Sequence, residues 1–220
     1  MSDVTGERIR HIYNASALHY QMLLKFYRGL GVNLAKWRKE AIKRLPDLES
    51  PRILDVSTGT GANIPLLVDR YPDYSAIVGI DYTPAMLKQA ARRVRNNEWK
   101  NINLRLKDAR EMSSELDGCF DLVLSTYSLS IIPQSPRVLK EIKKLICNSG
   151  YIMLLDCQKF KGLLRIYNPL AIFMSTRLGG NSQTYSVPVS QIASRMFQPV
   201  SRRLMYSGMF YEDLYRPKRV

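Results

Sequence analysis

Two histidines and three cysteines are all the imidazole and thiol side chains that this 220-residue chain offers. The cysteines, Cys119, Cys147 and Cys157, are odd in number and show no CxxC spacing, so neither a disulfide framework nor a zinc site is expected, and a reducing cytoplasm is the predicted compartment. No metal ligand set is assigned. Long apolar runs are missing too. The N-terminal stretch "MSDVTGERIRHIYN" carries charges of both signs, and "GLLRIYNPLAIFM" is broken by Arg165, Asn168 and Pro169, which excludes a secretion signal and a membrane span on sequence grounds. There is no internal repeat and no low-complexity tract.

Acidic residues are also scarce, with 19 Asp and Glu against 33 Lys and Arg, for a formal charge of +14. Residues 47–157 are balanced at 14 of each sign. Residues 1–46 hold 9 basic against 3 acidic residues, and residues 158–220 hold 10 against 2. The excess therefore sits in the two flanks. It is either a solvated basic surface or the footprint of an anionic partner, phospholipid or nucleic acid.

With 45% hydrophobic residues the chain can bury one substantial core, which predicts a single domain over 1–220. Residues 7–45 carry apolar side chains at helical spacing (Ile9, Ile12, Tyr13, Tyr20, Leu23, Leu24), then a second run, "VNLAKWRKEAIKRL", so 1–46 reads as a helical cap. Apolar runs and helical runs then alternate: "RILDVS", "AIVGID", "INLRLKDA", "FDLVLSTY" and "YIMLLDC" as strands, "NIPLLVDRYP", "TPAMLKQAARRVRNN" and "SPRVLKEIKKLI" as helices. Thr83-Pro84 and Ser135-Pro136 mark helix starts. This predicts an α/β, doubly wound, mostly parallel sheet over 47–157. Residues 158–220 supply a lid helix and two antiparallel edge strands around Gly208, making seven strands in all.

Gly59 and Gly61 of "ILDVSTGTGANI" fall where the first strand breaks into a helix, the position at which open α/β sheets bind ligands. Asp81 ends the second strand and suits a pair of ribose hydroxyls. Asp108 follows the third, where a carboxylate accepts from an adenine amino group. Ile64 stands where a dinucleotide fingerprint needs its third glycine, and no GK[ST] follows. A nucleoside site without a phosphate cradle favours S-adenosylmethionine over NAD or ATP.

These motifs, "LDVSTGTG", Asp81, "KDAREM", "FDLVLSTYSLSIIP" and "LICNSGYIMLLD", resemble in order and separation those of the class I S-adenosylmethionine-dependent methyltransferases. The resemblance implies a Rossmann-like methyltransferase fold and a donor site formed by Asp55, Ser57, Gly59, Gly61, Asp81 and Tyr82, with Met86, Asp108, Ala109 and Ser125. Ser57 departs from the family's glycine triad, and "CNSG" replaces its commoner proline-glycine-glycine. "IYNASALHY" is similar to the tyrosine-rich N-terminal box of the ubiquinone and menaquinone biosynthesis methyltransferases. "GTGANIPLL", "STYSLSIIPQSP" and "PVSRRLMYSGMFYEDL" look like the bacterial phospholipid N-methyltransferases. The quinone enzymes' Arg-Asn pair falls here at Ser130 and Ile131.

Methyl transfer from a sulfonium chiefly requires alignment and exclusion of water. Tyr13, His19, Tyr20 and Tyr127 are the residues expected over the methyl group, from the N-terminal helix and the loop after the fourth strand. The acceptor is expected to be a lipid-like or amphipathic small molecule, an aminophospholipid amine ahead of a quinone ring carbon. Peripheral contact with an anionic membrane is expected through the basic flanks and "KFKGLLRIYNPLAIFMSTR", and Arg202 and Arg203 are candidates for a lipid phosphate. Nucleic acid is the weaker acceptor class, since "STYSLS" lacks an Asn-Pro-Pro-aromatic box and a Pro-Cys nucleophile. A binding module without turnover is the remaining alternative. Oligomeric state is left open.

Overall fold

The computed structural model describes residues 32–160, 162–169, 172 and 187–218. Helix α1 (Leu34–Lys43), capped by the Asn33 side chain accepting from the Lys36 amide, leads into strand β1 (Arg52–Val56). Then follow α2 (Ile64–Arg70), β2 (Ala76–Asp81), α3 (Pro84–Asn96), β3 (Ile102–Leu106), a 3-10 helix (Ala109–Ser114), β4 (Phe120–Thr126) and α4 (Ser135–Leu145). The chain closes with β5 (Ile146–Cys157), a second 3-10 helix (Gly162–Tyr167), α5 (Val189–Met196), β6 (Phe197–Met205) and β7 (Phe210–Pro217). The expected helix over the N-terminal residues and most of the expected lid helix lie outside the described residues.

The seven strands form one sheet in the order β3-β2-β1-β4-β5-β7-β6. β1 to β5 are parallel, and β7 runs antiparallel to both β5 and β6. The chain winds outward from β1 through β2 to β3, then restarts on the other side with β4. That reversal leaves a crevice between β1 and β4 at their carboxyl ends.

Period-two alternation sends successive residues of the inner strands to opposite faces. Leu54, Val56, Val78, Ile80 and Val123 face one way and pack with Leu139 and Ile142 of α4 and Ala193 of α5. Ile53, Ile77, Leu122, Leu124 and Met153 face the other way, against Ala41 and Ile42 of α1 and Leu67 of α2. Both faces are covered, as the near-continuous apolar strands require.

Several boundaries differ from the sequence reading for local reasons. α4 is capped by Gln134 in the left-handed conformation (φ 58°), so Ser135 lies inside the helix, and its buried hydroxyl finds no partner among the described residues. "CNSG" is no free turn. It belongs to β5, where the register shifts so that Phe120 faces Ile146 while Leu122 faces Tyr151.

That irregularity overturns the expectation of no disulfide. Cys119, just before β4, and Cys147, at the start of β5, are bonded, with Cα atoms 5.0 Å apart. Their separation of 28 residues hid the pair, which becomes adjacent only once β4 and β5 align. The compartment argument drawn from cysteine spacing loses its basis with it. Among the described residues no helix is long and apolar enough to cross a membrane.

A crosslink closing a loop of this length contributes about 3.5 kcal/mol by restricting the unfolded chain. Reduction is therefore expected to lower unfolding free energy by about that amount, and the Cys119→Ser/Cys147→Ser variant to match the reduced wild type. Denaturant unfolding with and without reductant checks this; identical midpoints contradict it.

Candidate active site

The crevice at the carboxyl ends of β1, β2 and β4 encloses about 1100 Å³ of empty space, its open mouth included. Its floor is the turn after β1. Ser57 takes a left-handed conformation (φ 60°) that ordinarily favours glycine, and Gly59 and Gly61 follow at φ 57° and 72°. A Cβ on Gly59 would meet nothing and would project into open space, whereas one on Gly61 would lie 2.9 Å from Ile64 and 3.1 Å from Ala90. Gly59 thus leaves room for a ligand against the backbone. Gly61 instead lets α3 approach the turn, and it does not line the crevice.

Strand-end aspartates organise this edge of the sheet. Asp81 accepts from the Gly59 amide at 2.8 Å and the Thr83 amide at 2.8 Å, one on each carboxylate oxygen, tying the β1 turn to the start of α3. Burial raises its pKa, and the Thr83 and Gly59 amides partly offset that rise. The carboxylate lines the crevice and keeps acceptor capacity beyond these two bonds.

Asp55, expected in the donor site, is fully buried beneath the turn. It accepts from Thr58 Oγ1 at 2.6 Å and Asn63 Nδ2 at 2.8 Å and does not line the cavity. Desolvation pushes its carboxyl up to about 6, against the pull of the Thr58 and Asn63 hydrogen bonds. Ser125 likewise lies below the wall, sharing a 2.7 Å hydrogen bond with Ser128.

Tyr82, Met86, Asp108 and Ala109, expected in the donor site, all line the crevice. Asp108 also caps the 3-10 helix by accepting from the Arg110 amide at 2.8 Å, and it holds the Arg110 guanidinium through both oxygens. A base amine there would share an already engaged carboxylate.

The opposite wall is the loop after β4. Tyr127 lines it at φ 55°, with its amide donating to Leu155 O at 2.7 Å and its hydroxyl to Leu34 O at 3.0 Å. Ser128, Ile131, Ile132 and Pro133 continue the wall. Beneath them Asp156, buried at the end of β5, accepts from the Ser128 amide (3.2 Å), the Ser130 amide (3.0 Å), Ser130 Oγ (2.7 Å) and the Cys157 amide (2.7 Å). Burial raises its pKa despite these donors. Arg38 of α1 reaches the same wall, its guanidinium carbon 5.2 Å from the centroid of the Tyr127 ring. Its Nε is buried without a hydrogen-bond partner among the described residues.

Of the residues expected over the methyl group, Tyr127 is in the crevice, while Tyr13, His19 and Tyr20 lie outside the described residues. Sequence reasoning missed Asp156, although an aspartate ending an apolar strand was the signal that identified Asp81. It also missed Arg38, which nothing local separates from the other basic residues of its helix. Arg202, a candidate for lipid phosphate, is committed elsewhere. Its Nε donates to the buried Asp213 at 2.6 Å, and Ser190 completes that cluster.

A seven-stranded α/β sheet with a crevice at its topological switch point is the Rossmann-like architecture of the methyltransferases. Residues 48–190 match the model of the methyltransferase domain family, and the chain belongs to that family. It is a methyltransferase. The chain is 30% identical over 168 residues to the ubiquinone/menaquinone biosynthesis C-methyltransferase of Citrifermentans bemidjiense, covering 74% of this chain and 70% of that one. Similarity to the phosphatidylethanolamine N-methyltransferase of Cereibacter sphaeroides reaches 32% over 134 residues, covering 60% of this chain and 63% of the other. The solved structure of an O-methyltransferase family protein from Burkholderia thailandensis superposes with a TM-score of 0.67 at 14% identity, over 84% of this chain and 56% of that one.

Two outcomes follow from the buried acids. Asp55 holds its proton more tightly folded than unfolded, since about 6 exceeds the ordinary 3.8. Through this group the fold gains stability as pH falls from about 6 towards 4, and its ionisation above pH 6 costs on the order of 3 kcal/mol. Wild type is therefore expected to gain on Asp55→Asn between pH 7 and pH 4 in urea unfolding; a flat difference contradicts this. Asp156→Asn presents an N–H to the loop amides in place of an acceptor. It is expected to lower kcat/KM for the acceptor by ~10- to 100-fold while leaving calorimetric affinity for the demethylated donor within about twofold. Equal losses in both measurements would give Asp156 a merely structural role.

Proposed function

We propose that the chain transfers a methyl group from S-adenosylmethionine to the amine of an aminophospholipid head group. The donor fits the residues present. The Gly59 position leaves the backbone bare, Asp81 keeps acceptor capacity for ribose hydroxyls, and Tyr82, Met86 and Ala109 offer apolar surface for a base. At the other end, the buried Nε of Arg38 finds no acceptor among the described residues, and a carboxylate would provide one. Bound there, the donor supplies a methyl group already activated on a sulfonium.

The chain's own residues then have to hold the acceptor in line and keep water out, and alignment of this kind can recover roughly 7 to 11 kcal/mol of barrier. Ile131, Ile132 and Pro133 give the acceptor side an apolar wall, and Asp156 fixes the loop that carries it. Tyr127 Oη donates to a backbone carbonyl, so its bond to Leu34 O orients the ring. An amine attacks once neutral, whereas a ring carbon requires a base to form the phenolate.

The observation that carries the amine reading is the fate of the pair that resembles the quinone enzymes' Arg-Asn. Ser130 is turned beneath the loop onto Asp156, and Ile131 presents an apolar side chain to the crevice. The quinone reading draws on the 30% identity to the ubiquinone/menaquinone biosynthesis enzyme.

Labelled methyl donor offered together with phosphatidylethanolamine vesicles and demethylmenaquinone separates the two. Label in the aminophospholipid fraction, at the mass of an N-methylated product, is expected, and Asp81→Asn is expected to weaken donor binding by at least about tenfold. Label confined to the quinone contradicts the amine assignment.

A further inference from the structure

The strands whose carboxyl ends form the crevice also fix the position of an exposed apolar knob. β5 ends at the same edge, and β7 begins at Phe210 directly opposite Cys157, so the turn over residues 206–209 stands beside the crevice. Gln158 anchors the outgoing chain to that turn, its amide donating to Met209 O at 2.7 Å and its side chain to Gly208 O at 2.8 Å. The 3-10 helix Gly162–Tyr167 follows. A reciprocal pair closes its base, the Phe160 amide donating to Asn168 Oδ1 at 2.8 Å and Asn168 Nδ2 to Phe160 O at 3.1 Å. Phe160 packs inward on the cluster of Val32, Met209 and Phe210, which also receives Tyr127 of the crevice wall.

The outward side chains are exposed. Leu163 is 92% exposed, Ile166 71% and Tyr167 51%, and Tyr206 on the adjoining turn is 40% exposed. Exposed apolar side chains gathered at one place mark an interaction surface. Lys159 and Arg165 flank them. The only acids among the described residues of 158–218, Glu212 and Asp213, are buried on β7 and paired with Arg44 and Arg202. The unpaired charge that the described residues of 158–218 carry is therefore positive, and the partner this segment complements is an anionic surface with an apolar interior.

We propose that this edge docks on an anionic phospholipid bilayer, Leu163 and Ile166 entering the acyl boundary and Lys159 and Arg165 meeting phosphates. The mouth of the crevice then faces the membrane, and a head group reaches the Ile131–Pro133 wall without leaving its leaflet. The proposal rests on the reading of the acceptor as a membrane lipid, but its test does not use that acceptor.

Sedimentation with phosphatidylcholine vesicles, with and without phosphatidylglycerol and in the absence of donor and amine lipid, measures docking directly. Wild type is expected to bind the anionic vesicles at least about tenfold more tightly, and about 0.5 M salt to weaken that binding. Leu163→Ser/Ile166→Ser and, separately, Arg165→Glu are each expected to lose binding while keeping the thermal midpoint and affinity for S-adenosylhomocysteine. Equal binding to both vesicle types, or variants that bind like wild type, overturns the proposal. So does a wild-type dimer that the double variant converts to monomer, because the knob is then a self-association surface. Docking without methylation of phosphatidylethanolamine would remove the amine reading and leave the surface standing.

Discussion

The carboxylate of Asp81, held between the Gly59 and Thr83 amides, is the interaction on which the crevice depends. A parallel sheet releases its loops at one edge, and their buried N–H groups need acceptors that the ladder no longer supplies. Here aspartates near the strand ends supply them. Asp55 secures Thr58 and Asn63 within its own turn, Asp81 joins two turns, and Asp156 reaches from β5 to the loop after β4. Burial raises the pKa of all three, so each ionised carboxylate stands only because its donors are in place.

These acids divide the labour of the site. Asp81 faces the cavity, whereas Asp55 and Asp156 work from beneath it, one under the turn after β1 and one under the loop after β4. The loop after β4 shows why such support is needed. Tyr127 sits at a positive φ that costs a non-glycine residue on the order of 1 kcal/mol, and it is held there by its bonds to Leu155 and Leu34. Rigid placement of this wall is what a reaction governed by alignment requires.

The inner strands, the helix periodicity and the glycine turn with its strand-end acid were legible in the sequence because each has a local signature: apolar runs, a 3.6-residue repeat, glycines at a strand-to-helix turn and an acid ending a strand. Non-local features were not. Cys119 and Cys147 meet only through strand alignment, Arg38 comes from a helix that precedes the sheet, and Asp156 acts on residues nearly thirty positions before it. Arg202 shows how the fold adds partners that the sequence does not display. Its sequence neighbourhood suggested a lipid contact, while the fold gives it to Asp213. Side-chain identity says what a residue is able to bind, and the folded chain decides how much of that capacity is already engaged.

A crystal structure with S-adenosylhomocysteine tests the account most directly. The ribose hydroxyls are expected within hydrogen-bonding distance of Asp81, with the base beside Tyr82 and Met86 and the carboxylate at Arg38. A crevice closed by its own side chains, or the nucleoside bound away from Asp81, would contradict it.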